Sequence, residues 1–355
     1  MRGRRHHGAR IRTFHENGRD VLALENELLR VELLPGKGSD IVSFLHKPSD
    51  TDAMWHAERG LRRPADDGRA PADDLTAYMD RYEGGWQECF PNGGAAVIYR
   101  GAPIPFHGEL WAVAWDVRIE EDSPERVAVT LSLDTHRTPF HVEKRLMLES
   151  GRAVLTIDEA ITNRSDAPFP VMWGHHPAFG APFLGPSCRL DLPPCTGSTA
   201  RRGQMPDGTL AFDADFEWPM APLADGGSLD LRDIPGPEAR RSEWVSFSGM
   251  AEGWYGLTNR ERQVGFGLRW DVAVFPYLWF WQVWGGGPDY PWWGREYNCA
   301  LEPWTSRPDA GLMEAIANGT ARTIGGGERV TSRMLAVMWS GRDGISGIDS
   351  DGEVR

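Results

Sequence analysis

The stretch from residue 110 to 161 limits the fold more than any other part of the chain. Four segments follow one another there, at 111–117, 126–133, 140–148 and 153–161. In the last two, apolar and polar residues largely alternate, which is the period of a strand with one buried and one wet face. Gly151 marks a turn and the polar run 163–168 ends the meander. No amphipathic helix intervenes. Successive strands without crossover helices pair antiparallel, which argues against a doubly wound α/β domain. The 41 glycines and 26 prolines among 355 residues also leave little room for long helices and suit short strands joined by turns. The fold class is therefore all-β, a large antiparallel β-sandwich with few short helices. Further strands are expected at 20–24, 28–34, 41–45, 264–270, 278–284 and 329–339, with a short helix at 73–79 and an exposed loop at 59–74. The reading divides the chain into a polar N-terminal extension (1–19), one domain (20–340) and a polar C-terminal tail (341–355).

Charge and cysteine content exclude several functions. A net charge of −13 opposes a general nucleic-acid binder, which needs a basic footprint, and gives no attraction to an anionic membrane. No run approaches 18 uninterrupted apolar residues, and the basic first twelve residues lack the apolar segment of a secretory signal. The expectation is a soluble, cytoplasmic protein with no nucleic-acid or membrane partner; the oligomeric state is open. Cys89, Cys188, Cys195 and Cys299 contain no CxxC and are spaced poorly for a four-cysteine zinc site, so they are read as reduced. Sixteen tryptophans exceed the ordinary need of a core. Some could wall a ligand site, and sugar rings have an apolar face that suits indole.

Chemistry concentrates at three segments. Residues 171–180 read Val-Met-Trp-Gly-His-His-Pro-Ala-Phe-Gly, with a glycine before the histidine pair and a proline after it. These breakers suggest a change of direction at a strand end. Extended backbone would turn His175 and His176 to opposite faces, so one faces a site and the other packs or orients. Imidazole is the side chain suited to moving protons near neutral pH. Phe106-His107-Gly108-Glu109 and Leu301-Glu302-Pro303-Trp304-Thr305 likewise place an ionisable group beside a conformational marker and an aromatic. For any one of these histidines, a purely structural role is the ordinary one.

Taken in order, these segments resemble the galactose mutarotase-like family of aldose 1-epimerases, over approximately residues 20–339. Gly84-Gly85 followed by Cys89-Phe90-Pro91, then His107-Gly108 and Trp115, is similar to the front half of its glucose-6-phosphate 1-epimerase-like branch. His176-Pro177-Ala178-Phe179 and Leu301-Glu302-Pro303 with Thr305 resemble the family's histidine and glutamate signatures. The resemblance implies Glu302 as general base and His176 as general acid, on opposite sides of an anomeric centre, with His107 binding and polarising the sugar. It implies cofactor-independent interconversion of the α and β anomers of a hexose or modified hexose, requiring neither metal nor nicotinamide. The partner would be a monosaccharide. Departures fall on substrate recognition. Tyr82-Glu83 stands where the phosphate-sugar branch commonly has an arginine, leaving Arg81 as a displaced candidate. Asp271 and Gln282 are candidates for an acidic sugar-binding residue that has no secure counterpart.

The remaining candidate sugar-binding residues are Trp86, Trp111, Trp279 and Trp281 as a platform, and Gln87 and Asn92 as hydroxyl partners. His175 is an accessory residue. A noncatalytic carbohydrate-binding sandwich is the alternative from another class. Glycoside hydrolysis is weaker, since it asks for two suitably spaced carboxyls and only Glu302 stands in a motif.

Overall fold

The computed structural model describes residues 5–64, 74–307 and 310–355. Among these, twelve strands form one sheet and eight another, and the named strand pairs are antiparallel. The larger sheet runs in the order Arg10–Glu16, Arg19–Glu25, Leu29–Leu34, Asp40–His46, Trp86–Cys89, Gly174–Gly180, Tyr297–Trp304, Tyr277–Trp284, Arg241–Ser248, Thr196–Thr199 and Asp215–Glu217, with Thr51–Asp52 beside Asp40–His46. The smaller runs Cys188–Asp191, Gly253–Asn259, Val264–Trp270, Arg329–Ser340, Val154–Asn163, Phe140–Glu149, Arg126–Asp134 and Asp116–Asp122. Two short α-helices, Asp74–Arg81 and Leu312–Ala317, are present among the described residues.

Alternation in the meander does what its sequence implies. Phe140, Val142, Leu146 and Leu148 are buried, with Lys144 among them, while His141, Glu143, Arg145 and Met147 are partly exposed. The inward set meets the larger sheet through aromatic edges: Phe90 and Phe140 have ring centroids 4.8 Å apart, Phe44 and Phe266 5.2 Å, Phe179 and Phe266 5.0 Å. The core therefore lies between the sheets, and the larger sheet's other face is left to build a site.

Four expectations are corrected. Residues 10–16 form a strand of the larger sheet, paired with Arg19–Glu25; Asn17 (φ 49°) and Gly18 (φ 80°) make the left-handed two-residue turn between them. An edge strand with little buried surface carries a weak hydrophobic signal, which is why the segment read as a polar extension. Residues 111–115 are not a strand. Their alternating tryptophans are buried in a loop, where the indoles of Trp111 and Trp115 donate to the carbonyls of Phe106 and Leu110. The histidine segment is a central strand, buried throughout, and not a strand end. Its pairing with Tyr297–Trp304 is interrupted between Gly174 and Ala178, which accommodates Pro177, a residue with no N–H to donate. Finally, the tail is not all exposed: Ile345 and Ile348 pack with Trp254 and Trp339. The expected loop at 59–74 lies largely outside the described residues, and the expected helix at 73–79 is Asp74–Arg81.

Burial of an isoleucine contributes about 1.5–3 kcal/mol, so deleting residues 342–355 is expected to cost about 3–6 kcal/mol. Urea unfolding of the truncated chain should show a markedly lower midpoint; an unchanged midpoint would contradict the packing of this tail.

Candidate active site

Strand register assembles the site. Gly174 pairs with Trp304 and Ala178 with Ala300, which sets His176 level with Glu302 on neighbouring strands. Trp279 is the partner of Glu302 on the next strand, and Gln87 the partner of His176 on the other side. Cross-strand partners share a face, so the row Gln87, His176, Glu302, Trp279 lies on one face of the larger sheet. His176 Nε2 stands 3.5 Å from Glu302 Oε1. Above the pair is a cavity of about 220 Å³. Trp244, Trp279 and Trp281 wall it from the sheet, Trp292 from the loop after Trp284, and Tyr78, Met79 and Tyr82 from the helix Asp74–Arg81 and its exit. His107, Phe106, Gly94 and Met205 complete the described lining.

Each reactive group is oriented. Glu302 Oε2 accepts a 3.0 Å bond from the indole N–H of Trp304, two residues on and on the same face. Trp304 stacks on Trp279 with centroids 4.0 Å apart and planes at 14°. It fits because Gly93 and Gly174 lie against its ring: a Cβ on Gly174 would come within 2.1 Å of it, and one on Gly93 within 2.5 Å. The Nδ1 of His176 is 3.2 Å from the Tyr82 hydroxyl. His107, at φ 56° in the left-handed region, accepts the backbone N–H of Gly94 at Nδ1 over 3.1 Å. Its proton is thereby fixed on Nε2, as a donor.

Burial governs the electrostatics. It pushes Glu302 up to about 8, the Trp304 bond opposing, and lowers His176 to about 4. Burial, reinforced by His176, holds His107 well below the usual histidine range. Burial also raises the Tyr82 phenol well above its ordinary value, with Glu302 adding to the effect. Between about 4 and about 8 the His176–Glu302 pair therefore holds one proton, either as acid and imidazole or as carboxylate and imidazolium. Such a pair can take a proton from one atom and give one to another. The two groups stand side by side and not on opposite sides of a reacting centre. Two oxygens bonded to one carbon can still be met by neighbours on one face.

Of the residues expected to bind sugar, His107, Trp279 and Trp281 line the cavity. The others do not. Trp86 turns to the interior and donates to His175 Nδ1. Trp111 packs edge-on behind Tyr78. Gln87 is one layer back, accepting from the Tyr78 hydroxyl at 2.6 Å and donating to Asp40 at 3.1 Å. Asn92 is consumed by its own loop and the helix Leu312–Ala317, donating to Ala95 and Pro105 and accepting from Leu312. Gln282 faces the interior beside Trp284, and Asp271 lies at a groove on the smaller sheet. Arg81 is not among the lining residues. Tyr78, Tyr82, Trp244, Trp292 and Met205 were not anticipated. Only the position of Trp304, two after Glu302 on a strand, could have flagged its role as donor.

His175 belongs to a second cluster inside the sandwich. Its Nε2 is 3.0 Å from Glu159, and Glu88 lies beside them, with donor atoms all within 4.8 Å of one another. That donor set is of a kind that can hold a metal. Here, however, the Trp86 N–H points at Nδ1 and leaves the His175 proton on Nε2, while Lys144 Nζ, 3.4 Å from Glu88, already supplies a cation. The cluster fits a hydrogen-bonded ion group better than a metal site.

The sequence profile of a family described as a domain of unknown function, DUF4432, matches residues 16–336. The chain belongs to the DUF4432 family. No curated protein sequence matches it. Solved structures resemble this DUF4432 chain in fold at low identity. A candidate aldose 1-epimerase from Klebsiella pneumoniae has a TM-score of 0.69 at 13% identity, over 93% of this chain and 83% of its own. A galactose mutarotase-like protein from Clostridium acetobutylicum scores 0.63 at 13% identity, over 94% and 99%. A galactose mutarotase related enzyme from Lactobacillus acidophilus scores 0.60 at 16% identity, over 92% and 100%. The fold is thus galactose mutarotase-like. No helix among the described residues is long and apolar enough to cross a membrane.

Because burial raises Glu302 and Glu159 to about 8, the folded chain keeps protons that the unfolded chain sheds near pH 4.5. That contribution to stability is complete below the unfolded value and is lost as pH rises toward 8. Above pH 6.5 the lowered histidines no longer oppose it. Stability should fall by about 1.4 kcal/mol per pH unit per carboxyl between pH 6.5 and 8. Glu302→Gln should flatten this slope in denaturant titrations; an unchanged slope would contradict a protonated Glu302.

Proposed function

We propose that this DUF4432 chain is a cofactor-independent aldose 1-epimerase acting on a hexose or modified hexose. The observation that carries the reading is the facing pair of Glu302 and His176, 3.5 Å apart on the floor of an aromatic cavity. Glu302 as carboxylate takes the proton of the anomeric hydroxyl, while His176 as imidazolium gives its Nε2 proton to the ring oxygen. The bond from C1 to the ring oxygen breaks, C1 gains its carbonyl, and the open aldehyde leaves a carboxylic acid facing a neutral imidazole. That is the protonation state burial favours, so the low-dielectric site helps the opening step. Rotation about C1–C2 and reclosure, with the protons returning, yields either anomer. His107, a lining residue whose proton the Gly94 bond leaves on Nε2, would donate it to a substrate oxygen, and the Tyr82 hydroxyl, able to donate or accept, serves His176 Nδ1 in both protonation states.

The family resemblance in sequence and the names of the structural neighbours support the same chemistry. A noncatalytic sugar binder would need an aromatic cavity but not this pair. The phosphate-sugar branch finds less support, since no arginine or lysine is among the described residues that line the cavity.

Anomer exchange followed by NMR should be accelerated without added metal or nicotinamide. Glu302→Gln and His176→Asn are each expected to lower the catalysed rate by about 10²–10⁴-fold with the fold intact. Equal rates in wild type and both variants would reject the reading. The kcat profile should be bell-shaped, falling below about pH 4, where no base remains, and above about pH 8, where no acid remains.

A further inference from the structure

The cavity is short of polar groups for a sugar site, and this deepens the epimerase reading on which the inference rests. We infer that the substrate is an uncharged aldose lacking one or more ring or chain hydroxyls, a deoxy sugar.

A hydroxyl pressed against protein keeps its bonding only if it finds partners there, and it is disfavoured where it does not. Glu302 and His176 are occupied by the anomeric and ring oxygens. Beyond them, the described lining residues include no arginine, lysine, aspartate, asparagine or glutamine. Two nearby amides, Gln87 and Asn92, point elsewhere. Gln87 is held between Tyr78 and Asp40, and Asn92 gives its amide to Ala95 and Pro105. The Tyr78 hydroxyl is spent on Gln87, and the Trp279 N–H on the carbonyl of Ser306 at 3.1 Å. His107 Nε2–H remains as one oriented donor, enough for one further hydroxyl. The indole N–H groups of Trp244, Trp281 and Trp292 are donors only, so a hydroxyl against them has nothing to donate to.

The walls are otherwise aromatic rings and thioethers, the latter from Met79 and Met205. Such surface matches CH and CH₃ groups and gains when they replace hydroxyls. Hydroxyls on the edge of the sugar facing the cavity mouth stay in water; those against the walls are the ones the substrate lacks. The same lining disfavours an anionic sugar, because among the described lining residues a phosphate or carboxylate would find no arginine or lysine. A cavity of about 220 Å³ has room for a single ring.

The test compares catalysed anomer exchange by NMR, as kcat/KM above the uncatalysed rate, for glucose, 2-deoxyglucose, 6-deoxygalactose, galactose and glucose 6-phosphate. Glu302→Gln serves as the blank. At least one deoxy sugar should exceed its fully hydroxylated parent by tenfold or more, with no acceleration for the phosphate. Met205→Gln, which adds an amide to the wall, should narrow that ratio. A ratio below ten for both deoxy sugars, or efficient turnover of the phosphate, overturns the inference while leaving the epimerase reading in place. Acceleration of none of the five sugars overturns both.

Discussion

The molecule's chemistry depends on the alignment of two strands. Gly174–Gly180 and Tyr297–Trp304 are antiparallel neighbours in the middle of a large sheet, and their register leaves His176 and Glu302 level. A slip of one residue would turn either side chain into the core. The pairing is interrupted between these points, at the level of His176 and Glu302, so its register is held on both sides, by Gly174 with Trp304 and by Ala178 with Ala300. Trp86–Cys89 and Tyr277–Trp284 extend the same row, giving Gln87 and Trp279 as lateral supports. The facing pair and three of the tryptophans thus sit on strands, while loops and the helix Asp74–Arg81 supply the rest of the lining.

The other face of the histidine strand carries a different burden. His175, Glu88, Glu159 and Lys144 bring ionisable groups into the interior of the sandwich, where an unpaired charge is costly. Burial raises both carboxyls, and Glu159 reaches about 8. It lowers His175 to about 4, with Glu88 opposing. Trp86 and Trp173 donate their indole protons into the group. Adjacent histidines therefore have separate work: one faces the cavity, and its neighbour anchors the strand from behind.

Much of this was legible in the sequence, and the parts that were not share a cause. Alternation announces the meander, and the order of three short motifs singles out His107, His176 and Glu302, which meet at one cavity. Alternation also separated His175 from His176 correctly. Local pattern failed where pairing decides the outcome. Gly174 and Pro177 look like breakers, yet they sit in a central strand because one makes room for an indole and the other falls in a gap of the ladder. Gln87, Asn92, Asp271 and Gln282 have the right chemistry for sugar hydroxyls, but facing and hydrogen-bond partners are tertiary properties. Tyr82 and Trp292 reach the cavity from a helix exit and a distant loop, a placement no local spacing encodes.

The slot that receives Trp304 has one more consequence. With backbone at Gly93 and Gly174 against its ring and Trp279 stacked on it, the indole has little freedom, and neither does the carboxylate it holds. The ordering entropy of Glu302 is then spent when the chain folds and not when a ligand arrives. A ligand entering this cavity would meet a carboxyl group already aimed, so discrimination among ligands would fall to the walls and not to a rearrangement of Glu302.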